Sequence, residues 1–194
     1  RLNKKKILED PFTNLFKTEL YSLRYLKKND KIIVSASGGL DSTVLLLLLH
    51  SINIYKIIVA HVDHAIRKES IKDKMFVESL CMKLKIQFFY QTLNPDSKPK
   101  NDSPEQWARE KRYEYLKNLA METRSDWIMT GHHSNDNAET ILMNLSRQAG
   151  VNGLSGIPQK NGKIIRPLLS YEKKVLCDFV DRVGLPFKLS LIHI

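Results

Sequence analysis

The strongest constraint on the fold is a regular alternation of short apolar runs with longer segments of helical periodicity. Apolar or β-branched runs predict strands at Lys31–Val34, Lys56–Ala60, Gln87–Tyr90, Trp127–Thr130 and around Ile164–Ile165. Helices are predicted over Asp41–Ser51, about Ile71–Lys85, Pro104–Glu122, Asn135–Arg147 and Tyr171–Val183. Continuous apolar strands that alternate with helices are typical of a parallel sheet covered on both faces. We therefore predict an α/β fold with a twisted parallel sheet and helices on both faces.

The chemically distinctive segments all follow the carboxyl ends of predicted strands. They are residues Ser35–Ser42, His61–Arg67 and Gly131–Asp136. Because ligands of open parallel sheets bind beyond the carboxyl ends of the strands, we expect these three segments to form one common rim.

The most informative of these segments is Ser37-Gly38-Gly39-Leu40-Asp41-Ser42, between a strand and a helix. The two glycines let the backbone approach an anion closely and present its N–H groups to it. The dipole of the following helix adds positive potential at the same place. A carboxylate such as Asp41 is repelled by bound phosphates unless a cation bridges them, so we predict Mg²⁺ between Asp41 and the phosphates.

This loop differs from two common nucleotide-binding motifs. It lacks the lysine of the Gly-x-x-x-x-Gly-Lys-Ser/Thr loop and the spacing of the Gly-x-Gly-x-x-Gly fingerprint. The alternative is an ordinary strand-to-helix turn with an aspartate near the start of the helix.

The loop is similar to that of the ATP pyrophosphatases, which adenylate a carbonyl oxygen and release pyrophosphate. Other segments resemble one family within this class, the tRNA(Ile)-lysidine synthetases. These segments are His61–Arg67, Glu105–Tyr113, Gly131–Thr140, Arg147–Gly156, Arg166–Leu169 and Gly184–Phe187. The resemblance covers about residues 31–187 and implies the Rossmann-like adenine nucleotide alpha hydrolase (PP-loop ATPase) fold.

The chain departs from the family pattern at several positions. Asn135 replaces the first of two aspartates, Asp63 and Ala65 replace Asn and Gly, and Gln148 stands where Gly is common. We expect an N-terminal helical lead-in over residues 1–30, a catalytic domain over 31–187 and an atypical tail over 188–194. The family's C-terminal tRNA-binding domains are then missing from this chain.

The resemblance implies a two-step reaction on tRNA(Ile) with a CAU anticodon. ATP and Mg²⁺ serve to adenylate the wobble cytidine, and the ε-amine of free L-lysine then displaces AMP to give lysidine. The expected location is the cytoplasm of a bacterium or an organelle, with no membrane partner and with a homodimer among the possible assemblies.

The residue patterns and the resemblance together lead us to predict roles for individual residues. Catalysis is assigned to Asp41, Asp136 and Arg166. Nucleotide binding is assigned to Ser37, Gly38, Gly39, Leu40, Asp41, Ser42 and His61. Contacts with substrate or RNA are expected at Arg67, Arg109, Arg112, His132, His133 and Glu139. Asp41 is the expected Mg²⁺ ligand, with Asp136 as a second candidate.

The residue patterns alone leave alternatives open for several of these side chains. His132, His133 and Asp136 suit metal binding or charge neutralisation, but also helix capping and packing. Arg109 and Arg112 share a helix face and suit phosphate binding, but a solvated charged face is equally compatible with their spacing.

Composition narrows the classes of function. The chain carries 31 Lys and Arg against 21 Asp and Glu, a formal charge of +10, which favours a polyanionic partner but also suits a merely basic soluble protein. The longest apolar run, Val44–Leu49, is too short to span a bilayer.

Two other functions remain as alternatives. The two cysteines, Cys81 and Cys177, form no Cys-x-x-Cys pair, which argues against a tRNA thiolation enzyme of the same superfamily. The second alternative is a nucleotide- or RNA-binding module without complete catalysis.

Overall fold

The computed structural model describes residues 3–64, 70–99, 103–146 and 155–185. Its helices are α1 (Lys4–Glu9), α2 (Pro11–Ser22), α3 (Leu40–Ile52), α4 (Ser70–Leu84), α5 (Pro104–Glu122), α6 (Ser134–Ser146) and α7 (Lys173–Val183). Its strands are β1 (Lys31–Ser35), β2 (Lys56–Asp63), β3 (Gln87–Thr92), β4 (Trp127–Thr130), β5 (Lys160–Asn161) and β6 (Ile164–Ile165). Within these residues, no helix is both long enough and apolar enough to cross a membrane.

The six strands form one sheet in the order β3-β2-β1-β4-β6-β5. Strands β1, β2, β3, β4 and β6 are parallel, which confirms the predicted sheet. The structure adds β5, which pairs with β6 in antiparallel fashion through a turn at Gly162. Two polar residues carry no strand periodicity, so the sequence pattern does not reveal β5.

Helices cover both faces of the sheet, as predicted. On one face, the sheet residues Ile32, Val34, Val59, Met129 and Ile165 pack in a single large cluster with α1, α2, α3 and α7. On the other face, Ile33, Ile58, Ala60, Ile128 and Ile164 pack against Leu116, Leu119 and Ala120 of α5. Both faces of each central strand are therefore buried, which explains why their sequences are apolar without alternation.

The N-terminal helices share the larger of these clusters. Ile7, Phe12 and Phe16 are almost completely buried in it. Asp10 caps α2 by accepting the Phe12 N–H at 2.9 Å, and it accepts two further hydrogen bonds from Arg182 of α7 at 2.8 and 3.0 Å. Residues 3–22 are thus fastened to the far end of α7, while the predicted domain boundaries at residues 30 and 187 stay predictions.

The direction of the chain places the candidate site. From β1 the chain proceeds to β2 and β3 on one side, whereas β4 and β6 lie on the other side of β1. The carboxyl ends of β1 and β4 therefore flank the point where the strand order reverses, which is where open parallel sheets bind their ligands. The segments after these two strands are Ala36–Gly39 and 131–133.

Candidate functional site

The end of β4 lies directly against the first turn of α3. A Cβ atom added to Gly131 would lie 2.8 Å from the Ser42 nitrogen and 2.9 Å from its Cα, so only glycine permits this approach. The close contact brings the segment after β4 beside Ser37–Ser42, the glycine loop that follows β1. Sequence analysis included Gly131 in a motif but did not predict this role.

The glycine loop leaves the N-terminus of α3 open. Gly38 has a φ of 91°, a conformation that suits glycine, and Gly39 is the N-cap residue without a side chain to bond the first-turn N–H groups. The Ser42 hydroxyl accepts a hydrogen bond from the Ser37 N–H at 3.1 Å, and the Ser37 and Ser42 hydroxyl oxygens are also 3.1 Å apart. The loop is therefore held by its serines while the helix N-terminus remains available to an anion.

Asp41 lies in the first turn of α3 and is incompletely paired. Its Oδ2 is 3.6 Å from His133 Nε2 and 4.0 Å from Lys173 Nζ. Its Oδ1 is buried and has no hydrogen-bond partner among the residues that the structure describes. A buried carboxylate oxygen without a partner is costly, so this atom is suited to a ligand that supplies positive charge.

His133 lies between Asp41 and Asp136. Its Nδ1 is 3.6 Å from Asp136 Oδ2, and the same carboxylate accepts the His133 backbone N–H at 2.9 Å. Hydrogen bonding to Asp41, supported by the charges of both carboxylates, raises the pKa of His133 despite its burial and the nearby Lys173. The two carboxylates thus make the charged form of this imidazole more favourable than in an ordinary histidine.

His132, the preceding residue, has the opposite tendency. Its Nδ1 lies 2.8 Å from the Thr130 hydroxyl. Burial first, and then the charges of Arg112 and Arg166, lower its pKa to about 4. His132 is therefore neutral at physiological pH, although it adjoins a histidine whose pKa is raised.

Two buried guanidinium groups form the cationic side of the site. Arg166 is 4% exposed, donates one hydrogen bond to the Pro158 carbonyl at 2.6 Å and has an Nε without a partner among the described residues. The Nε of Arg112 is likewise buried and unpartnered there, and burial lowers the pKa of this side chain. Buried cations with free donors are suited to binding an anion.

A cavity of about 140 Å³ lies between the glycine loop and Arg112. The residues that line it are Ser35, Ala36, Ser37, Asp41, Ser42, Val62, His64, Arg112, Thr130, Gly131 and His132. The predicted phosphate loop and the predicted substrate residues Arg112 and His132 thus lie around one space. His64 and Thr130 were not predicted as site residues, although both belong to segments at strand ends.

The carboxylates of the site fit Mg²⁺ better than a transition metal. Among the described residues, no group of three or more His, Cys, Asp or Glu side chains is arranged to hold a metal ion. Mg²⁺ is typically bound by one or two carboxylates together with substrate phosphates and water, whereas zinc needs a set of protein ligands. The unpartnered oxygen of Asp41 and the nearby Asp136 provide such carboxylates beside the open helix N-terminus.

The other predicted site residues lie at varying distances from this cavity. His61 is buried behind the loop, where its Nδ1 is 2.8 Å from the Ala36 carbonyl oxygen and its Nε2 is unpartnered within the described part of the chain. Arg109 is exposed, with its guanidinium 5.7 Å from the centre of the Tyr113 ring. Glu139 is exposed on α6, and Arg67 lies outside the described residues.

Lys173 is a further residue beside the site that the sequence analysis did not predict. It begins α7, and its backbone N–H donates to Asn135 Oδ1 at 3.0 Å. Asn135 is the residue that replaces an aspartate of the family pattern, and here its side chain serves as a hydrogen-bond acceptor. No local motif marks Lys173, because the packing of α7 against α3 and the hydrogen bond to Asn135 of α6 place it beside Asp41.

The fold is similar to those of solved structures with other activities. A U34-tRNA thiolase NcsA from Methanococcus maripaludis superposes with a TM-score of 0.77 at 21% sequence identity, covering 94% of this chain and 67% of that one. The NMN synthetase from Francisella tularensis gives a TM-score of 0.60 at 16% identity, covering 96% and 73%. At these identities the likeness concerns the fold alone.

Sequence relatives are more similar. A curated tRNA(Ile)-lysidine synthase from Thermosipho africanus is 39% identical over 176 residues, which cover 88% of this chain and 41% of that protein. One from Bacteroides thetaiotaomicron is 36% identical over 174 residues, which cover 85% and 41%. The chain thus spans 41% of the length of each of these relatives. A family model described as a PP-loop domain matches residues 5–189, and the chain therefore belongs to the PP-loop domain family.

Proposed function

We propose that this chain is the ATP-binding catalytic part of an enzyme that ligates lysine to the wobble cytidine of tRNA(Ile) with a CAU anticodon. The observation that carries the proposal is the cavity between the open N-terminus of α3 and the guanidinium group of Arg112. Such a cavity suits a nucleoside triphosphate at the N-terminus of α3 and a second anionic substrate at Arg112. The similarity to lysidine synthases supports the choice of substrate.

The glycine loop is proposed to bind the phosphates of ATP. The first-turn N–H groups of α3 and the hydroxyls of Ser37 and Ser42 supply the hydrogen bonds. Asp41, with Asp136 as a second ligand, would hold Mg²⁺, and the ion would supply positive charge to the phosphates. His61 positions the loop from behind through its contact with the Ala36 carbonyl.

In the first step, the carbonyl oxygen of the cytidine attacks the α-phosphorus of ATP. The bond from that phosphorus to the bridging oxygen breaks, and its electron pair leaves with pyrophosphate. Arg112 and Arg166 stabilise the negative charge that spreads over the phosphoryl oxygens, which agrees with their buried and unpartnered nitrogen atoms. No protein nucleophile is needed, so the protein acts through positioning and charge.

In the second step, the ε-amine of lysine attacks the cytidine carbon that carries the adenylate. AMP leaves with the carbonyl oxygen, and the amine loses its proton. We propose that Asp41 or Asp136 accepts that proton. Lysine and the tRNA enter the proposal through the names of the relatives, whereas a cytoplasmic location and a homodimer stay predictions.

The chemistry of the cysteines argues against a thiolation enzyme. Burial raises the pKa of the Cys81 thiol to about 12, and burial also raises the pKa of Cys177. A thiol with a raised pKa is protonated at neutral pH and is a poor nucleophile. Neither cysteine lines the cavity.

The test measures release of pyrophosphate and AMP from ATP with Mg²⁺ and isotopically labelled lysine. Unmodified tRNA(Ile) with the CAU anticodon is compared with the same tRNA carrying another wobble base. We expect release only with the CAU tRNA, incorporation of label into that tRNA, and release that is slowed by about 100- to 1,000-fold in the Asp41→Asn variant. Release without tRNA would contradict the proposed substrate, and ATP binding without turnover would favour an incomplete binding module.

A further inference from the structure

The start of α7 is held in a defined position beside the site. The Tyr171 carbonyl accepts the Ser134 N–H at 2.9 Å, and Asn135 Oδ1 accepts the Lys173 N–H at 3.0 Å. The Tyr171 ring also makes an edge contact with Phe12, with ring centres 5.0 Å apart. These contacts fix the backbone of Lys173 relative to the first turn of α6, so its side chain starts from a rigid point.

The side chain of Lys173 lies near Asp41 but does not form a hydrogen bond with it. Its Nζ is 4.0 Å from Asp41 Oδ2, which is longer than a hydrogen bond, and the side chain is 34% exposed. His133 Nε2 is nearer to the same oxygen, at 3.6 Å. The ammonium group therefore keeps donors available for an anion that binds beside Asp41.

Helix stability does not explain a lysine at this position. Cations at a helix N-terminus interact unfavourably with the helix dipole, and α7 has Lys173 and Lys174 at its first two positions with no acidic residue in its first turn. The N-cap residue, Glu172, makes no capping hydrogen bond. The charge of Lys173 is thus unfavourable for α7 and directed towards the glycine loop.

We propose that Lys173 binds the β- and γ-phosphates of the nucleotide and then the departing pyrophosphate. This inference rests on the proposed function. When the bond between the α-phosphorus and the bridging oxygen breaks, the electron pair stays on pyrophosphate, and Lys173 donates an N–H hydrogen bond to that group. The four-carbon stem lets the ammonium move from Asp41 to the phosphates without a movement of α7.

The experiment measures binding rather than turnover. Affinities for ATP, inorganic pyrophosphate and AMP are determined by calorimetry in the presence of Mg²⁺ for the unaltered chain and for Lys173→Met. We expect ATP and pyrophosphate to bind about tenfold more weakly to the variant, because one charge-assisted hydrogen bond is lost, while AMP binding is unchanged. Lys173→Arg should restore most of the affinity.

Lys174→Met is the matched control. Lys174 is the next residue of α7 and is exposed, so this variant removes the same charge from the same helix turn. We expect it to bind all three ligands like the unaltered chain. If Lys173→Met binds ATP and pyrophosphate as tightly as Lys174→Met does, the role of Lys173 is overturned while the proposed function stands. Equal weakening of AMP would also overturn it, since that result indicates a general disturbance. An unaltered chain that binds neither ATP nor pyrophosphate would contradict the proposed function itself.

Discussion

Two aspartates near helix N-termini differ in how completely they are paired. Asp10 is 6% exposed, caps the Phe12 N–H and accepts two hydrogen bonds from Arg182, and the hydrogen bond to Arg182 lowers its pKa. Asp41 has cations only at 3.6 and 4.0 Å, and its Oδ1 has no hydrogen-bond partner within the described ranges. The carboxylate of Asp10 joins α2 to α7, whereas the carboxylate of Asp41 is left with capacity for a ligand.

The difference distinguishes a region whose polar contacts stabilise the fold from a region whose polar atoms are left to bind a ligand. Where α1, α2 and α7 meet, the Asp10 carboxylate makes its hydrogen bonds within the protein. At the rim, buried nitrogen and oxygen atoms of Asp41, Arg112 and Arg166 remain without partners in the described structure. Such atoms cost free energy in the unliganded protein and regain it when a ligand of matching charge binds.

The largest expected effect separates these two roles at Asp41. Asp41→Asn should lower the rate of tRNA-dependent pyrophosphate release by about 100- to 1,000-fold, because the charge that faces the phosphates and their cation is lost. The free energy of unfolding should change by less than about 1 kcal/mol, since the carboxylate contributes mainly through the dipole of α3. Turnover assays measure the rate of pyrophosphate release, and urea unfolding measures the free energy of unfolding. If Asp41→Asn lowered the free energy of unfolding as much as an Asp10 variant does, the contrast between the two aspartates would be contradicted.

A second prediction concerns the contact that assembles the rim. Gly131→Ala should destabilise the chain by about 2 kcal/mol, because its Cβ would overlap the backbone of Ser42. It should also weaken ATP binding, since the strand and the loop can no longer approach each other. Gly162→Ala is the control, as it meets no atom within 4 Å but has a φ of 58°. This control should cost about 1 kcal/mol through backbone strain and leave ATP binding intact.

The reverse contrast is expected at Asp10. Asp10→Ala removes a helix cap and the partner of Arg182, so urea unfolding should show a loss of roughly 2 kcal/mol. Because Asp10 lies far from the cavity lining, the ATP affinity of the folded fraction should not change. Arg182→Ala should cost less, since the arginine side chain is 47% exposed. A tenfold loss of ATP affinity in the Asp10 variant would show that the two regions are coupled.

The sequence predicted the local parts of this molecule better than the long-range ones. Short β-branched runs such as Lys56–Ala60 predict strands from their own residues, and the glycine loop carries its chemistry in six consecutive residues. The antiparallel strand β5 was missed because two residues, Lys160 and Asn161, have no periodicity and depend on the turn that follows. Local pattern suffices where the interacting groups are neighbours in the chain.

The charge states of the site needed the three-dimensional structure. His132 and His133 are adjacent and were treated alike from sequence, yet burial beside arginines lowers the pKa of one and contact with carboxylates raises that of the other. Lys173 belongs to no recognisable motif. Its position beside the site depends on hydrogen bonds between the start of α7 and the first turn of α6, which involve Tyr171 and Asn135. Both features depend on which distant elements meet, which a pattern of spacing does not contain.

The smallest expected effect is in the pH dependence of stability, where His132 and Asp10 act in different ranges. Both have a lowered pKa in the folded state, so each contributes stability that is present above its unfolded pKa and is lost as the pH falls through its folded pKa. For His132 this range runs from the ordinary value of 6.5 down to about 4, because the unfolded chain binds the proton first. For Asp10 the loss begins only below its ordinary value of 3.8. Urea unfolding at pH 7 and pH 5 should therefore show a loss of stability that His132→Asn reduces and Asp10→Asn does not. Equal losses in the unaltered chain and in His132→Asn would show that His132 is not held in its neutral form.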